Sequence, residues 1–344
     1  GIVQKLYVTP NELVAEREYI GYNIDFTRTA FGLDKVEERE YAVTEGITAA
    51  KLEGAEDTLA NVRLWDWEPL LATFEQLQEM RLYYHFADID IGRYTIDGKT
   101  TQVMLSAREM DVNRLPSQAQ TWVNTRLKYT HGYGACASPV NEIGRDGLPV
   151  FLVGDIPPRF PADMRLDRPQ IYFGELTGDW VIVNTRAEEF DYPVGDSNEY
   201  SRYDADSGIR MGYLFRRLLF ATRLNDSRII FSRDITPDSR MLFARDIRER
   251  VRRIAPFLQY DGDPYAFIAD GRLMWLIDGM TTSTAYPYAE RFGDHLNYIR
   301  NSVKVLIDAY TGDVDFYIID AEDPVVATYA KVFPGLFRPA SEMP

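Results

Sequence analysis

The chain has 344 residues, 45% apolar and 13% aromatic, enough for a substantial core and outside the polar, aromatic-poor range of disordered chains. Its 38 basic and 53 acidic residues give a net charge of −15, which repels a nucleic-acid backbone and an anionic lipid surface alike, so no nucleic-acid partner is expected. The single cysteine, Cys136, excludes an intrachain disulfide and a cysteine-rich zinc site, and no apolar run approaches the roughly 18 to 20 residues that cross a bilayer.

In chain order, Thr9-Pro10-Asn11-Glu12 reads as a capped helix start, with Leu13, Ile20, Ile24 and Phe31 at helical spacing until Gly32. A second helix is predicted after Asp66, through Leu70, Phe74 and Leu77, and a third from about Pro116 to Leu127. Tyr94–Ile96 and Val103–Leu105 flank Asp97-Gly98, a dipeptide that tolerates the positive φ angles of a tight hairpin. The same arrangement recurs at Asp270-Gly271 and, more loosely, at Thr177-Gly178-Asp179 and Thr311-Gly312-Asp313. After Gly208, Leu214, Phe215, Leu218 and Leu219 form a wide apolar stripe, and another helix is predicted from Pro237 to Ile254. The fold class is α+β, with antiparallel hairpin-rich sheets and several packed amphipathic helices. The acidic, irregular stretch 191–208 reads as a flexible connection between a first lobe, 1–190, and a second, 209–344. The proline-rich stretch Asp155–Pro169 reads as an extended, irregular connection.

Gly132-Tyr-Gly134-Ala-Cys-Ala137 matches a dinucleotide fingerprint in letters, but Pro139 falls inside the helix that the motif needs, so it reads as a glycine turn between strands. His85, His131 and His295 form no close ligand pair; His131, followed by Ser138 and Glu142, is a candidate base without a nucleophile motif. Cys136, between two alanines, reads as a buried inert thiol. Asp204 and Asp206, followed by Gly208, are the candidate calcium ligands, although a third oxygen before the glycine and a distal glutamate are missing. No other cofactor is expected. Asp261 and Asp263 are a weaker version of the same pattern. The stretch from Pro237 to Ile254 is a basic island in an acidic chain; Arg240, Arg245, Arg248 and Arg252 are its candidate ligand or partner surface, with pairing to the chain's own carboxylates as the competing reading.

The strings VTPNEL, LWDWEPL, YTHGYG followed by SPVNE, GLPVFLVGDIPPR, PQIYFGE, IAPFLQYDGDPY, YIRNSVKVLIDAYTG and YAKVFPGLF run in order from Val3 to Pro344. Together they resemble an uncharacterised family of large multi-pass bacterial membrane proteins. The resemblance implies about seven N-terminal transmembrane helices, each long enough to span a bilayer, followed by a long extracytoplasmic region. This chain is then expected to be an excised part of that region, with any export signal outside it and its own upstream transmembrane helices as partner. A shorter similarity, Val303–Ile319, is to the hairpin of small extracytoplasmic PepSY modules. The expected role is an extracytoplasmic domain, at the bacterial cell membrane, that binds a ligand, envelope polymer or partner protein. The alternatives are an envelope hydrolase of peptides or glycans that uses paired carboxylates, and a structural subunit of a transport assembly.

Overall fold

The computed structural model describes residues 1–40, 46–195, 197–293 and 296–344. The chain divides into two compact units, Gly1–Gly54 and Ala55–Pro344. In the first, the expected helix begins earlier and is broken: turns over Gln4–Val8 and Thr9–Asn11 lead into Glu12–Ala15, and a longer helix, α1, spans Arg17–Ala30. Thr9 does not cap it, because its hydroxyl donates to the Gln4 carbonyl at 2.9 Å. Gly32 adopts the left-handed conformation that ends the helix. None of the described residues of this unit is buried, Leu13, Ile24, Phe26 and Phe31 included.

The second unit opens with α2, Trp67–Gln78, capped by the Asp66 carboxylate on the Trp67 amide, which buries Leu70 and Phe74. Strands β1 (Tyr84–Phe86), β2 (Asp90–Ile96), β3 (Lys99–Met110) and β4 (Ala135–Pro139) form one antiparallel sheet around the long β3. Asp97 and Gly98 both take positive φ at the β2–β3 turn, as the sequence requires of them. The predicted helix over 116–127 is instead a short turn at Ser117–Ala119 and a wider one at Asn124–Lys128.

Next come β5 (Val181–Val183) and a hairpin of β6 (Glu189–Val194) on β7 (Ser197–Ser201). Much of the stretch read as irregular is therefore paired backbone. No hairpin forms around Thr177-Gly178-Asp179, because β5 pairs with a later strand. That strand, β9 (Arg240–Leu242), lies between β5 and β8 (Ile209–Arg210). The helix predicted over 237–254 is thus corrected: its first half is β9, Ala244 takes a positive φ that interrupts the chain, and only Ile247–Ile254, α4, is helical. Periodicity misled here because Met241 and Leu242 bury their side chains from a strand. Between β8 and β9 lies α3, Leu214–Leu224.

The last sheet has β10 (Tyr265–Ala269), β11 (Arg272–Ser283), β12 (Tyr298–Asp308) and β13 (Val314–Ile318), all antiparallel, with β14 (Phe337–Pro339) added parallel to β13 after α5, Pro324–Val332. Asp270-Gly271 and Thr311-Gly312 form the predicted turns. Val103, Leu105, Val183, Trp275, Ile277, Val305 and Phe316 meet in one core that joins the sheets, where the Trp275 indole N–H donates to the Phe173 carbonyl at 3.0 Å. The fold is α+β.

Candidate functional site

The far end of β3 carries a buried glutamate into the loop 174–179. Glu109 Oε1 accepts from the Glu175 amide at 2.9 Å; Oε2 accepts from the Leu176 amide at 3.0 Å and the Thr177 hydroxyl at 2.7 Å. Burial raises its pKa, against the lowering effect of those bonds. Gly174 leaves room for the carboxylate, since a Cβ there would lie 2.1 Å from Oε2. Gly132, the first glycine of the apparent dinucleotide fingerprint, is required for the same kind of reason: its Cβ would meet the Arg108 carbonyl at 2.4 Å. The motif is a packing device between strands.

Arg245 is buried beside this loop and donates to the carbonyls of Tyr172 (2.7 Å), Asp179 (3.0 Å) and Thr130. Burial lowers its pKa to about 10. The Thr130 hydroxyl donates to Glu189 Oε2 at 2.9 Å and lies 2.8 Å from His131 Nδ1, while His131 Nε2 is 3.1 Å from Asp191 Oδ1. Tyr172 O–H, Asn184 N–H and Tyr203 N–H also donate to Glu189, at 2.8, 2.8 and 3.2 Å. One hydroxyl proton cannot serve both Glu189 and His131. With it given to Glu189, the His131 ring is held between the Thr130 hydroxyl and the Asp191 carboxylate. Above this network sits a cavity of about 420 Å³ whose wall includes Asp111, Asn113, Thr130, His131, Asp179 and Arg245.

A second group of acids gathers around Arg248. Glu175 Oε2 is 3.5 Å from its guanidinium, and Glu175 Oε1 is buried with no hydrogen-bond partner. Asp263 adds its negative charge beside Asp88, and Asp90 Oδ2 accepts from the Ala266 amide at 2.7 Å. Burial first and the neighbouring carboxylates second push Asp88 up to about 6 and Glu175 to about 9; burial above all takes Asp90 to about 8. Among the described residues no group of three or more His, Cys, Asp or Glu could hold a metal ion.

The basic candidates do not share one helix face. Arg240 lies on β9, with Asp206; Arg245 precedes α4 and is buried; Arg248 and Arg252 are on α4, and only Arg252 of the four is exposed. Most of the island therefore turns inward, largely onto carbonyl oxygens. Asp204 and Asp206 hold different partners: Asp204 Oδ1 accepts from the Tyr310 hydroxyl at 2.7 Å and lies 3.3 Å from Arg168, while Asp206 pairs with Arg240 at 2.6 Å. Asp261 bonds its own Gly262 amide, at 2.7 Å, as turn aspartates do. The Ser138 hydroxyl donates to the Pro139 carbonyl at 3.4 Å, not to His131. His85 lies on β1, 3.5 Å from Glu75; His295 is outside the described residues. Glu109, Glu189, Asp191, Asp88, Asp90 and Glu175 escaped sequence reasoning, which has no signal for carboxylates joined only by folding.

The family described as "Uncharacterised protein family (UPF0182)" matches residues 1–344. A protein of Pelotomaculum thermopropionicum named "UPF0182 protein" is 53% identical over 342 residues, 99% of this chain and 37% of that protein. Proteins of the same name in Methanospirillum hungatei and a Synechococcus strain are 50% and 49% identical over 100% of this chain and 39% and 41% of their own lengths. The relatives thus come from archaea as well as bacteria, and the chain spans about two-fifths of the curated relatives it matches. No solved structure matches.

Proposed function

We propose a binding role for this chain, which belongs to the uncharacterised protein family UPF0182. Its ligand is a small polar molecule taken up by the cavity beside Arg245 and His131, as part of a longer membrane-anchored protein that holds the domain outside the cytoplasm. The cavity carries the reading: about 420 Å³ suits a small ligand, and its polar wall rests on a hydrogen-bonded network that preorganises it. Support for the longer protein comes from the relatives' length and from the exposed apolar residues of Gly1–Gly54, a surface that further segments of the longer protein or an envelope partner would cover. No described helix is long and apolar enough to cross a membrane, so the anchor is assigned to segments outside this chain.

The test is a melting-temperature screen of the 344-residue chain against sugars, amino acids, dicarboxylates and phosphate, with Asn113→Trp as a plugged control. A ligand of the cavity raises the melting temperature with the logarithm of its concentration in the parent and not in the control. A panel without effect, or an equal rise in both, overturns the reading. For topology, an impermeant label added to intact cells making the full-length protein should reach this domain.

One observation favours a second reading, an envelope hydrolase. Asp88 lies among the acids near Arg248, and burial together with the charge of Asp263 raises it to about 6, which suits a general acid. Hydrolysis of peptide or glycan substrates that Asp263→Asn abolishes would establish it.

A further inference from the structure

The apolar stripe of α3 faces the wrong way for a core helix. Leu214, Phe215, Leu218 and Leu219 are 69%, 68%, 50% and 53% exposed. The helix is held from its other side, where Ala221 is buried and the Arg217 guanidinium donates to the carbonyls of Met211 and Ile235, both at 2.8 Å. A helix normally buries its one apolar stripe; this one keeps a second for something else.

The surrounding charge says what that is. Residues 210–233 contain six arginines and one acid, Asp226, a balance of 6 − 1 = +5 in a chain of −15. Arg210, Arg216 and Arg223 line an open groove of about 960 Å³ with Leu219 and Phe220, and none of the three has a carboxylate partner among the described residues. The one acid in that wall, Asp206, is already paired with Arg240.

We propose that this face of α3 docks on an anionic lipid surface. Leucine and phenylalanine beside arginines without carboxylate partners are what an interfacial helix presents to acyl chains and headgroup phosphates together; Arg216 is held only by the Arg210 carbonyl, at 3.2 Å, and the Tyr213 ring. A soluble polyanion would satisfy the arginines but leave the apolar stripe in water. A second copy would cover the stripe but set like charge against like across a two-fold axis. The acidity of the rest of the chain does not forbid docking, because charges more than about 8 Å away are screened at physiological salt. This surface is separate from the polar cavity, and its test does not depend on any ligand there.

The 344-residue chain should sediment with mixed phosphatidylcholine–phosphatidylglycerol vesicles and not with phosphatidylcholine alone. Binding should fall about tenfold or more in the double variant Arg216→Glu/Arg223→Glu, as two positive charges on the surface are replaced by two negative ones. It should fall likewise in Phe215→Ser/Leu218→Ser, and both variants alter exposed side chains, so their melting temperatures should match the parent's. Absence of sedimentation with mixed vesicles overturns the proposal, as does equal sedimentation with neutral ones. Undiminished binding by the serine variant would reduce the surface to electrostatic adhesion and overturn it too. So would a dimer that the serine variant dissociates, which would assign the face to a second copy.

Discussion

Asp206 and Arg240 form one ion pair, with Nη2 donating to Oδ1 at 2.6 Å, and the same guanidinium reaches the Asp206 carbonyl. Residues that sequence reading divides between a calcium loop and a basic helix are therefore bound to each other. Calcium at this loop would have to displace Arg240 from Asp206 and Arg168 from Asp204. The melting temperature should be the same in chelator and in millimolar calcium; a rise with the logarithm of calcium concentration would show that the ion wins.

Glu175 gives a pH prediction whose sign follows from burial. Its pKa is raised from 4.5 to about 9, so the stability tied to its proton is fully present below the unfolded value and is lost as pH rises through about 9. Asp88 and Asp90 act in the same direction with lower folded values. Glu175→Gln should match the parent near pH 5 and be the more stable of the two at pH 9, with a flatter profile. Parallel melting-temperature profiles across that range would refute the assignment.

What could be read in advance was local. Asp97-Gly98 and Asp270-Gly271 announce their turns because few other residues take positive φ twice in succession, and Asp66 announces α2 because its carboxylate caps the next amide. Helical spacing at 237–254 failed because a strand buries the adjacent Met241 and Leu242 on its two opposite faces, in two different cores, and only sheet neighbours specify that. The stripe of α3 was legible as a stripe, yet which way it faces depends on contacts that no periodicity contains. The cavity network was illegible because Glu109, His131, Glu189 and Arg245 lie up to 136 positions apart (245 − 109) and meet only through β3, β6 and the loops around them.

Cys136 should be inert in the native protein. It is fully buried, Arg108 Nη2 donates to its sulfur at 3.1 Å, and burial raises the thiol to about 11. A thiol reagent should label it only after denaturation. Cys136→Ala should cost about 1–3 kcal/mol in chemical denaturation, because it removes a partner from a buried guanidinium. Rapid native labelling would show that the site opens.

The close approach of Gly174 to Glu109 can be tested by a double-mutant cycle. A methyl group at 174 would lie 2.1 Å from Glu109 Oε2, and the carboxylate cannot swing away without surrendering its bonds to Glu175, Leu176 and Thr177. Gly174→Ala alone should therefore cost about 1–3 kcal/mol or more, the range of an overpacked core, and Glu109→Ala alone should cost a similar amount by leaving two amides and a hydroxyl unpaired. In the Glu109→Ala background the obstructing carboxylate is gone and the methyl group has space, so adding Gly174→Ala should cost little. The two losses should fail to add by about 1 kcal/mol or more, as expected for residues in contact. Denaturant midpoints of the four proteins measure this directly. Strict additivity would mean that the loop 174–179 is not held by Glu109, and the floor of the cavity would then need another explanation for its order.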